Sequence, residues 1–506
     1  MTSAPRSLRS DPVAAAAWGV LATIVAFVGS WIPSFWLDEA ASLSAADRPL
    51  GDLAGLLGRI DAVHGAYYLV LHGWISVFGT SELAVRAPSA IAVGIAVAGT
   101  YVLGRQLFAG RVPAGVAAAI LTVLPRATWM GLEARSFAFA LVVAVWMTVV
   151  FVWASRTGGR RWTAYAALVA IGVMFHLYVA LLLLAHALAV PAFVRGPRER
   201  AAWLAAAAGG AVVAAPVVLT ALGQRGQLTQ TTLTAPGLVR RAVVNQWFLG
   251  ETPGDVAAGP WLPAALLLAL LGWAAAAVGV TRVLRSARLG AREGSAALLV
   301  GWVVIPTVLV GGWSLLGGSL YHPRYFGFCA PALALLIAAG VTAIRGRVTQ
   351  VVAAGAAVLL VAPVYASQRG ESAKSGYDWS VVAARLEADA RDGDGVYFSP
   401  LRRDDATVVR ATSRSMASAY PQAFEGLVDV TRLSEPDDDV LLFAGSRQLA
   451  EAGPVLDGMD TLWVVRRTDL ESEVRSGDEA VLERHGLRLT RSWAGSRTTV
   501  ARFDRR

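Results

Sequence analysis

Two adjacent acids, Asp38 and Glu39, follow the first long apolar segment of the chain in Trp31-Ile32-Pro33-Ser34-Phe35-Trp36-Leu37-Asp38-Glu39-Ala40. Carboxylates are costly beside hydrocarbon, so acids kept at a membrane boundary point to chemistry there. A carboxylate so placed can take a proton from a reacting hydroxyl. Standing alone, the pair would read as a helix that has ended in water. It does not stand alone, because His64, Arg86, Glu133, Arg135, His176, His322 and Arg324 recur at the ends of other apolar segments. Arginines add charge-assisted donors suited to an anion such as phosphate. Whether these groups share one face depends on the elements that carry them.

Composition sets the class of those elements. With 55% hydrophobic residues, a mean hydropathy of +0.52 and many apolar runs of about twenty residues, the chain reads as a polytopic α-helical membrane protein. The one cysteine, Cys329, lies inside such a run, so no intramolecular disulfide forms. A pI near 10.1 raises the possibility of nucleic acid as a partner. The placement of the arginines argues against it, because they cluster in short loops where they orient a protein in the bilayer. Richness in Ala, Gly and Arg, with Lys374 the only lysine, suggests a GC-rich genome of actinobacterial type. The first apolar segment, about 12–32, is long for a signal-peptide core and lacks a small-residue cleavage site, so it reads as a retained span.

Apolar stretches fall near 12–32, 87–104, 112–130, 136–154, 162–175, 178–194, 201–221, 260–281, 294–312, 325–343 and 349–366, which predicts about eleven transmembrane helices. Basic clusters occupy every second loop: Arg6/Arg9, Arg105/Arg111, Arg156/Arg160/Arg161, Arg195/Arg198/Arg200, Arg282/Arg285/Arg288/Arg292 and Arg345/Arg347. This alternation predicts a cytoplasmic amino terminus and an external carboxy terminus in the cytoplasmic membrane. It also puts Asp38, Glu39, His64, Arg86, Glu133, Arg135, His176, His322 and Arg324 on the external side together. The stretch His64 to Gly79 is apolar but short, and counting it as a span would break the alternation. It is expected to lie along the outer surface, within a first external loop of about 33–86 that holds a second amphipathic piece near Leu50 to Ile60.

Residues 1–366 are thus expected to form the membrane domain and 367–506 a C-terminal extracytoplasmic α/β domain. Within the tail, Trp379 to Ala390 reads as a helix, and Gly395 to Ser399, Asp439 to Ala444 and Thr461 to Arg466 as strands. Leu487 to Phe503 reads as one or two more strands. Asp392-Gly393-Asp394 has the look of a metal loop, but the other positions of a calcium loop are missing and it reads as a turn.

In order along the chain, Trp36-x-Asp38-Glu39-Ala40, His64-x-x-Tyr67-Tyr68, Phe78-Gly79-Thr80-Ser81-Glu82-Leu83-Ala84-Val85-Arg86-Ala87-Pro88, Leu103-Gly104-Arg105-Gln106-Leu107-Phe108, Glu133-Ala134-Arg135-Ser136-Phe137 and Tyr321-His322-Pro323-Arg324-Tyr325-Phe326 form an ordered set. The set resembles the protein-mannosyltransferase-like branch of the GT-C glycosyltransferases, which includes protein O-mannosyltransferases and the aminoarabinose transferases acting on lipid A. The resemblance spans about residues 15–345. Two departures stand out: His64-Gly65-Ala66 replaces the family's His-Pro-Pro, and Arg135-Ser136-Phe137 its Arg-Ser-Tyr.

The resemblance implies an inverting transfer from a polyprenyl-phosphate sugar to a cell-envelope glycan, glycolipid or protein, with mannose as first choice of sugar and arabinose second. Asp38 matches the family's catalytic acid and is expected to be the general base, with Glu39 the neighbouring alternative. Glu133 orients the acceptor, holds a metal or pairs with Arg135. The donor phosphate is expected on Arg324, with Arg86 and Arg135 behind it and His322 and Tyr325 alongside; a snorkelling role for Arg324 is the competing account. His64, Tyr67, His176 and Tyr178 are the expected acceptor or sugar contacts. No cofactor is implied; a divalent metal on the interfacial histidines with Glu39 or Glu133 is conceivable, but no close ligand pair occurs. A secondary transporter would call for an internal repeat and charged mid-membrane segments. A non-catalytic assembly protein would keep the topology without needing the charged set.

Overall fold

Each of the eleven apolar stretches forms helix in the computed structural model, which describes residues 11–108, 110–227, 233–250, 259, 261–288, 295–318, 320–401, 413–433 and 442–506. The segment before the acids is α1 (Pro12–Phe27), begun by the Asp11 side chain accepting from Ala14 N. A short loop follows, then α2 (Leu37–Ala46), α3 (Leu50–Arg59) and α4 (Gly65–Phe78). Next come α5 (Glu82–Leu107), α6 (Val112–Val123), α7 (Pro125–Gly131), α8 (Phe137–Thr157), α9 (Arg161–Phe175), α10 (Leu182–Phe193) and α11 (Pro197–Gly223). After α12 (Ala235–Arg240), which runs into a π-helical turn to Leu249, the membrane part ends with α13 (Trp261–Arg288), α14 (Ser295–Leu315), α15 (Ala330–Val341) and α16 (Arg347–Ser367).

Among the described residues, seven helices are long and apolar enough to cross a membrane: α5, α8, α11, α13, α14, α15 with its leading turn from Pro323, and α16. An eighth crossing is available if α6 and α7, bent by 59° at Leu124 and Pro125, count as one broken span. Three shorter apolar helices, Pro12–Phe27, Arg161–Phe175 and Leu177–Phe193, coincide with the remaining predicted stretches. Val351, Val352, Val358 and Leu359 on α16 and Val212, Val213 and Leu219 on α11 are exposed, as lipid-facing side chains are.

Small residues set the helix crossings. A Cβ on Gly94 of α5 would run into Thr23 and the Gly19 carbonyl of α1, and Cβ atoms on Gly279 of α13 and Gly340 of α15 would strike the carbonyls of Leu336 and Ala275. Backbones this close are the means by which helices associate where burial in lipid supplies little driving force.

After α16 the chain forms α17 (Trp379–Asp389), β1 (Gly395–Ser399), α18 (Ser415–Ala419), β2 (Val428–Asp429), α19 (Gly453–Leu456), β3 (Thr461–Arg467), α20 (Ser472–Arg484), β4 (Leu487–Ala494) and β5 (Thr498–Arg505). The sheet order is β2-β1-β3-β5-β4, with β1 parallel to both neighbours and β5 antiparallel to both of its own. Of the stretch Asp439 to Ala444, the first three residues lie outside the described ones and the rest are not strand; Arg6, Arg9 and Arg292 also lie outside. Asp394 ends in a turn, its carboxylate accepting from Arg391 N and the Trp463 indole.

The tail and the loop after α1 share one core. Phe35, Trp36, Ala40 and Leu43 pack with Tyr67, Tyr68, Tyr377, Trp379, Met416, Phe443 and Trp463. Polar ties run alongside: Tyr420 Oη donates to Glu82 at 2.8 Å and accepts from Phe35 N at 2.9 Å, and Ser44 donates to the Leu442 carbonyl. The connector from α16 is fixed as well, since Arg369 caps the end of α1 by donating to the carbonyls of Val28, Val25 and Ala26.

The crossings predict a contrast. Gly340→Ala forces two backbones apart and should cost about 1–3 kcal/mol, read as a lowered Tm of the detergent-solubilised protein. Gly355→Ala on exposed α16, where a Cβ meets nothing within 4 Å, should leave Tm unchanged or slightly raised. Equal Tm values for the two variants would contradict the close α13–α15 packing.

Candidate active site

Asp38 and Glu39 sit in the first turn of α2, where the helix dipole favours negative charge. One residue of offset on a helix turns their side chains about 100° apart, and the two carboxylates go to different places. Glu39 is fully buried. It takes Arg86 Nε at 2.8 Å, Arg86 Nη2 at 2.6 Å and Ala134 N at 3.0 Å. Arg86, also fully buried, spends its remaining donors on the carbonyls of Ser30, Pro33 and Ser34. This bidentate pair ties α5, the loop after α1, α2 and the α7–α8 junction together. Burial alone would raise the Glu39 carboxyl, but Arg86 and then Lys374 outweigh it and hold it below its ordinary value. The expectation that Arg86 meets a phosphate, and that Glu39 is an alternative base, does not fit this burial.

Asp38 faces the other way and is partly exposed, its carboxylate paired with Arg324 at 2.8 Å. Arg324 enters from the turn before α15, with its guanidinium 5.3 Å from the Trp36 ring centre and 5.7 Å from those of Phe137 and Tyr325. Aromatic faces on several sides hold a cation in place. For Asp38 burial again works upward, and Arg324, Arg135 and His322 together pull the carboxyl below its ordinary value, so it is ionised at neutral pH.

Arg135 holds the neighbouring flank. It donates to the Asp38 carbonyl at 3.3 Å, approaches Tyr68 Oη at 3.4 Å and lies 2.7 Å from His64 Nε2. A guanidinium only donates, so His64 Nε2 accepts and the imidazole is neutral with its proton on Nδ1. Burial, followed by the charge of Arg135, lowers the His64 pKa well below its ordinary value, in agreement with that state.

The other expected residues divide. His322 and Tyr325 lie beside the Asp38–Arg324 pair, their rings 5.5 Å apart, and both are partly exposed. His176 binds the Tyr325 carbonyl at 2.9 Å, and Tyr178 donates to the Leu320 carbonyl at 2.8 Å, so these two shape the segment that carries Arg324. Tyr67 does not fit a sugar contact, because its ring is fully buried between Tyr68 and Phe139. Glu133 is buried at 1% exposure, on the Tyr67 side. Among the described residues no three His, Cys, Asp or Glu groups are spaced to hold a metal ion.

Sequence reasoning missed Asp61, Lys374 and Tyr377. Asp61 precedes the His64 motif by one turn and accepts from Tyr68 Oη at 2.8 Å. Lys374, fully buried in the connector after α16, lies 4.3 Å over the Trp129 ring. Its signal was its singularity, as the only lysine. Tyr377 packs edge-on to Trp36 with Arg497 over its ring, a contact across 341 residues that no local pattern announces.

With this geometry in hand, the likenesses are informative. The profile of the dolichyl-phosphate-mannose-protein mannosyltransferase family matches residues 66–219. The structure superposes on ArnT from Cupriavidus metallidurans bound to undecaprenyl phosphate with a TM-score of 0.57 at 12% identity, covering 96% of this chain and 97% of ArnT. An Archaeoglobus fulgidus oligosaccharyltransferase complexed with Zn and sulfate gives a TM-score of 0.50 at 12% identity, covering 96% and 72%. Arabinofuranosyltransferase AftD from Mycobacteria gives 0.49 at 16% identity, covering 97% of this chain and 39% of AftD. No curated protein sequence matches. The family match is confined to residues 66–219, and the superposition on ArnT, at 12% identity, is a likeness of fold.

The buried pair predicts a split between the adjacent acids. Glu39→Gln strands the Arg86 charge and should cost about 3–5 kcal/mol, seen as loss of folded protein on size-exclusion chromatography. Asp38→Asn should elute as wild type. Normal folding of Glu39→Gln would show that the pair does not hold the site together.

Proposed function

We propose that the chain is an inverting glycosyltransferase that takes its sugar from a polyprenyl phosphate at the outer face of the cytoplasmic membrane. The observation that carries this reading is the Asp38–Arg324 pair, a candidate base and a candidate phosphate ligand side by side next to apolar spans. In the reaction, the acceptor hydroxyl gives its proton to Asp38 as its oxygen bonds to the anomeric carbon. The bond from that carbon to the phosphate oxygen breaks, and its electron pair leaves on the lipid phosphate. Arg324 stabilises that phosphate. Arg135 adds positive charge near the same carboxylate, and His322 lies beside it. Mannose is the first choice of sugar and arabinose the second; the acceptor is an envelope glycan, glycolipid or protein.

The reading includes about eleven crossings, with the shorter apolar helices as membrane segments and the domain after residue 366 outside. The arginine alternation supports it. A reporter active only beyond the membrane should work when fused after Ser367 and fail at Arg285; the reverse pattern would invert the topology.

Two substitutions test the roles. Asp38→Asn keeps shape but cannot take a proton, so turnover should fall by about two orders of magnitude or more, with donor affinity little changed. Near-normal turnover would remove Asp38 as base. Arg324→Ala should weaken donor binding by roughly 1.5–3 kcal/mol, about ten- to a hundred-fold, and Arg324→Lys by less, because a charge remains without the planar fork. A snorkelling arginine predicts near-wild-type donor binding for both variants.

A further inference from the structure

Asp61 is a third carboxylate in the cluster, with a backbone that argues for purpose. Its φ is +57°, in the left-handed region that few residues other than glycine adopt, although Asp tolerates it best with Asn. The loop around it is clamped. Gln224 at the end of α11 accepts from Ala62 N and donates to the Leu57 carbonyl, both at 2.9 Å, and His64 N donates to the Asp61 carbonyl. Asp61 is partly exposed, as is His64. Contacts link the cluster: Arg324 to Asp38, the Asp38 carbonyl to Arg135, Arg135 to Tyr68, and Tyr68 to Asp61. Asp61 is thus a further carboxylate of the same cluster, held by Tyr68. Two donors in the same cluster, His64 Nδ1 and Arg135 Nε, are buried with no hydrogen-bond partner among the described residues. Buried donors of this kind can be satisfied by a polar partner.

In an inverting displacement the entering hydroxyl and the leaving phosphate lie on opposite sides of the anomeric carbon. With the phosphate on Arg324 and the entering hydroxyl on Asp38, a further carboxylate in the same cluster is available to the acceptor's other hydroxyls. We propose that Asp61, held by Tyr68 and flanked by His64 and Arg135, is an acceptor-binding carboxylate that receives hydrogen bonds from hydroxyls of a neutral, polyhydroxylated acceptor. This rests on the glycosyltransferase reading above. A carboxylate takes two hydroxyl donors at once, and its charge disfavours an acidic group at the same place, so the acceptor unit nearest the reacting hydroxyl is neutral. His64 Nδ1 supplies a donor for an acceptor oxygen.

The test uses the full-length protein in native membranes, with polyprenyl-phosphate mannose and polyprenyl-phosphate arabinose as separate radiolabelled donors. Binding of each donor and transfer of label to membrane acceptors are measured, with acceptor varied by diluting the membranes into acceptor-free vesicles. Asp61→Asn keeps the left-handed backbone and can still accept from Tyr68, so it should fold. It should raise the acceptor concentration needed for half-maximal transfer at least ten-fold, with maximal rate and donor affinity within about two-fold of wild type. Tyr68→Phe, which frees the carboxylate, should shift the same quantity in the same direction by less. A merely structural Asp61 would move maximal rate and donor binding together. Unchanged acceptor dependence, or a parallel loss of donor affinity, would overturn the proposal. If the wild-type protein transfers neither sugar, the glycosyltransferase reading falls and takes this subsite with it, an outcome distinct from wild-type transfer that Asp61→Asn matches.

Discussion

The ion pair between Glu39 and Arg86 is the constraint on which the site depends. Two fully buried charges survive only when paired and saturated with hydrogen bonds, and here each is. Satisfying Arg86 recruits three carbonyls from the loop after α1, and satisfying Glu39 recruits Ala134 at the junction of α7 and α8. Pieces from three parts of the sequence are thereby locked in one arrangement. Asp38, one residue away on the same turn, inherits a fixed position without spending its own carboxylate on structure. Dividing the two adjacent acids between a buried ion pair and a partly exposed position lets the site be rigid and still present a candidate base.

The tail contributes to that rigidity. Tyr420 reaches both Phe35 and Glu82, Ser34 donates through its backbone to Glu371, and Ser380 N donates to Ser34. The short loop between α1 and α2 is held from the bundle by Arg86 and from the tail by these bonds. Trp36 carries the consequence: it packs on Tyr377 on one side and under the Arg324 guanidinium on the other. The tail, joined by sequence to α16, thus supports the platform of the cation nearest the candidate base.

Much of this was legible in the sequence because membrane physics leaves few choices. Runs of apolar residues had to be helices, and the apolar stretches map onto helices in the structure. Charged residues at helix ends had to be satisfied near one another, and Asp38, Arg135, His64, His322 and Arg324 do assemble. What sequence could not supply was the partner of each charge. Arg86 looked as suitable for phosphate as Arg324 because both are arginines at span ends, and burial against Glu39 separates them. Tyr67 and Tyr68 are adjacent, and the helical turn sends one ring into the core and the other toward Arg135. Asp61 escaped notice because a lone acid before a short turn resembles any loop residue until its left-handed backbone and its bond to Tyr68 are seen.

The central claim is that Asp38 deprotonates an acceptor while a polyprenyl phosphate leaves from the opposite side of the sugar carbon. Its most direct test is the anomeric configuration of the glycoside formed by the purified, lipid-reconstituted protein from a polyprenyl-phosphate sugar of known anomer, read by NMR together with released polyprenyl phosphate. The account predicts one equivalent of polyprenyl phosphate per glycosidic bond and complete inversion. Retention of configuration, or glycoside formed without release of the lipid phosphate, would contradict it.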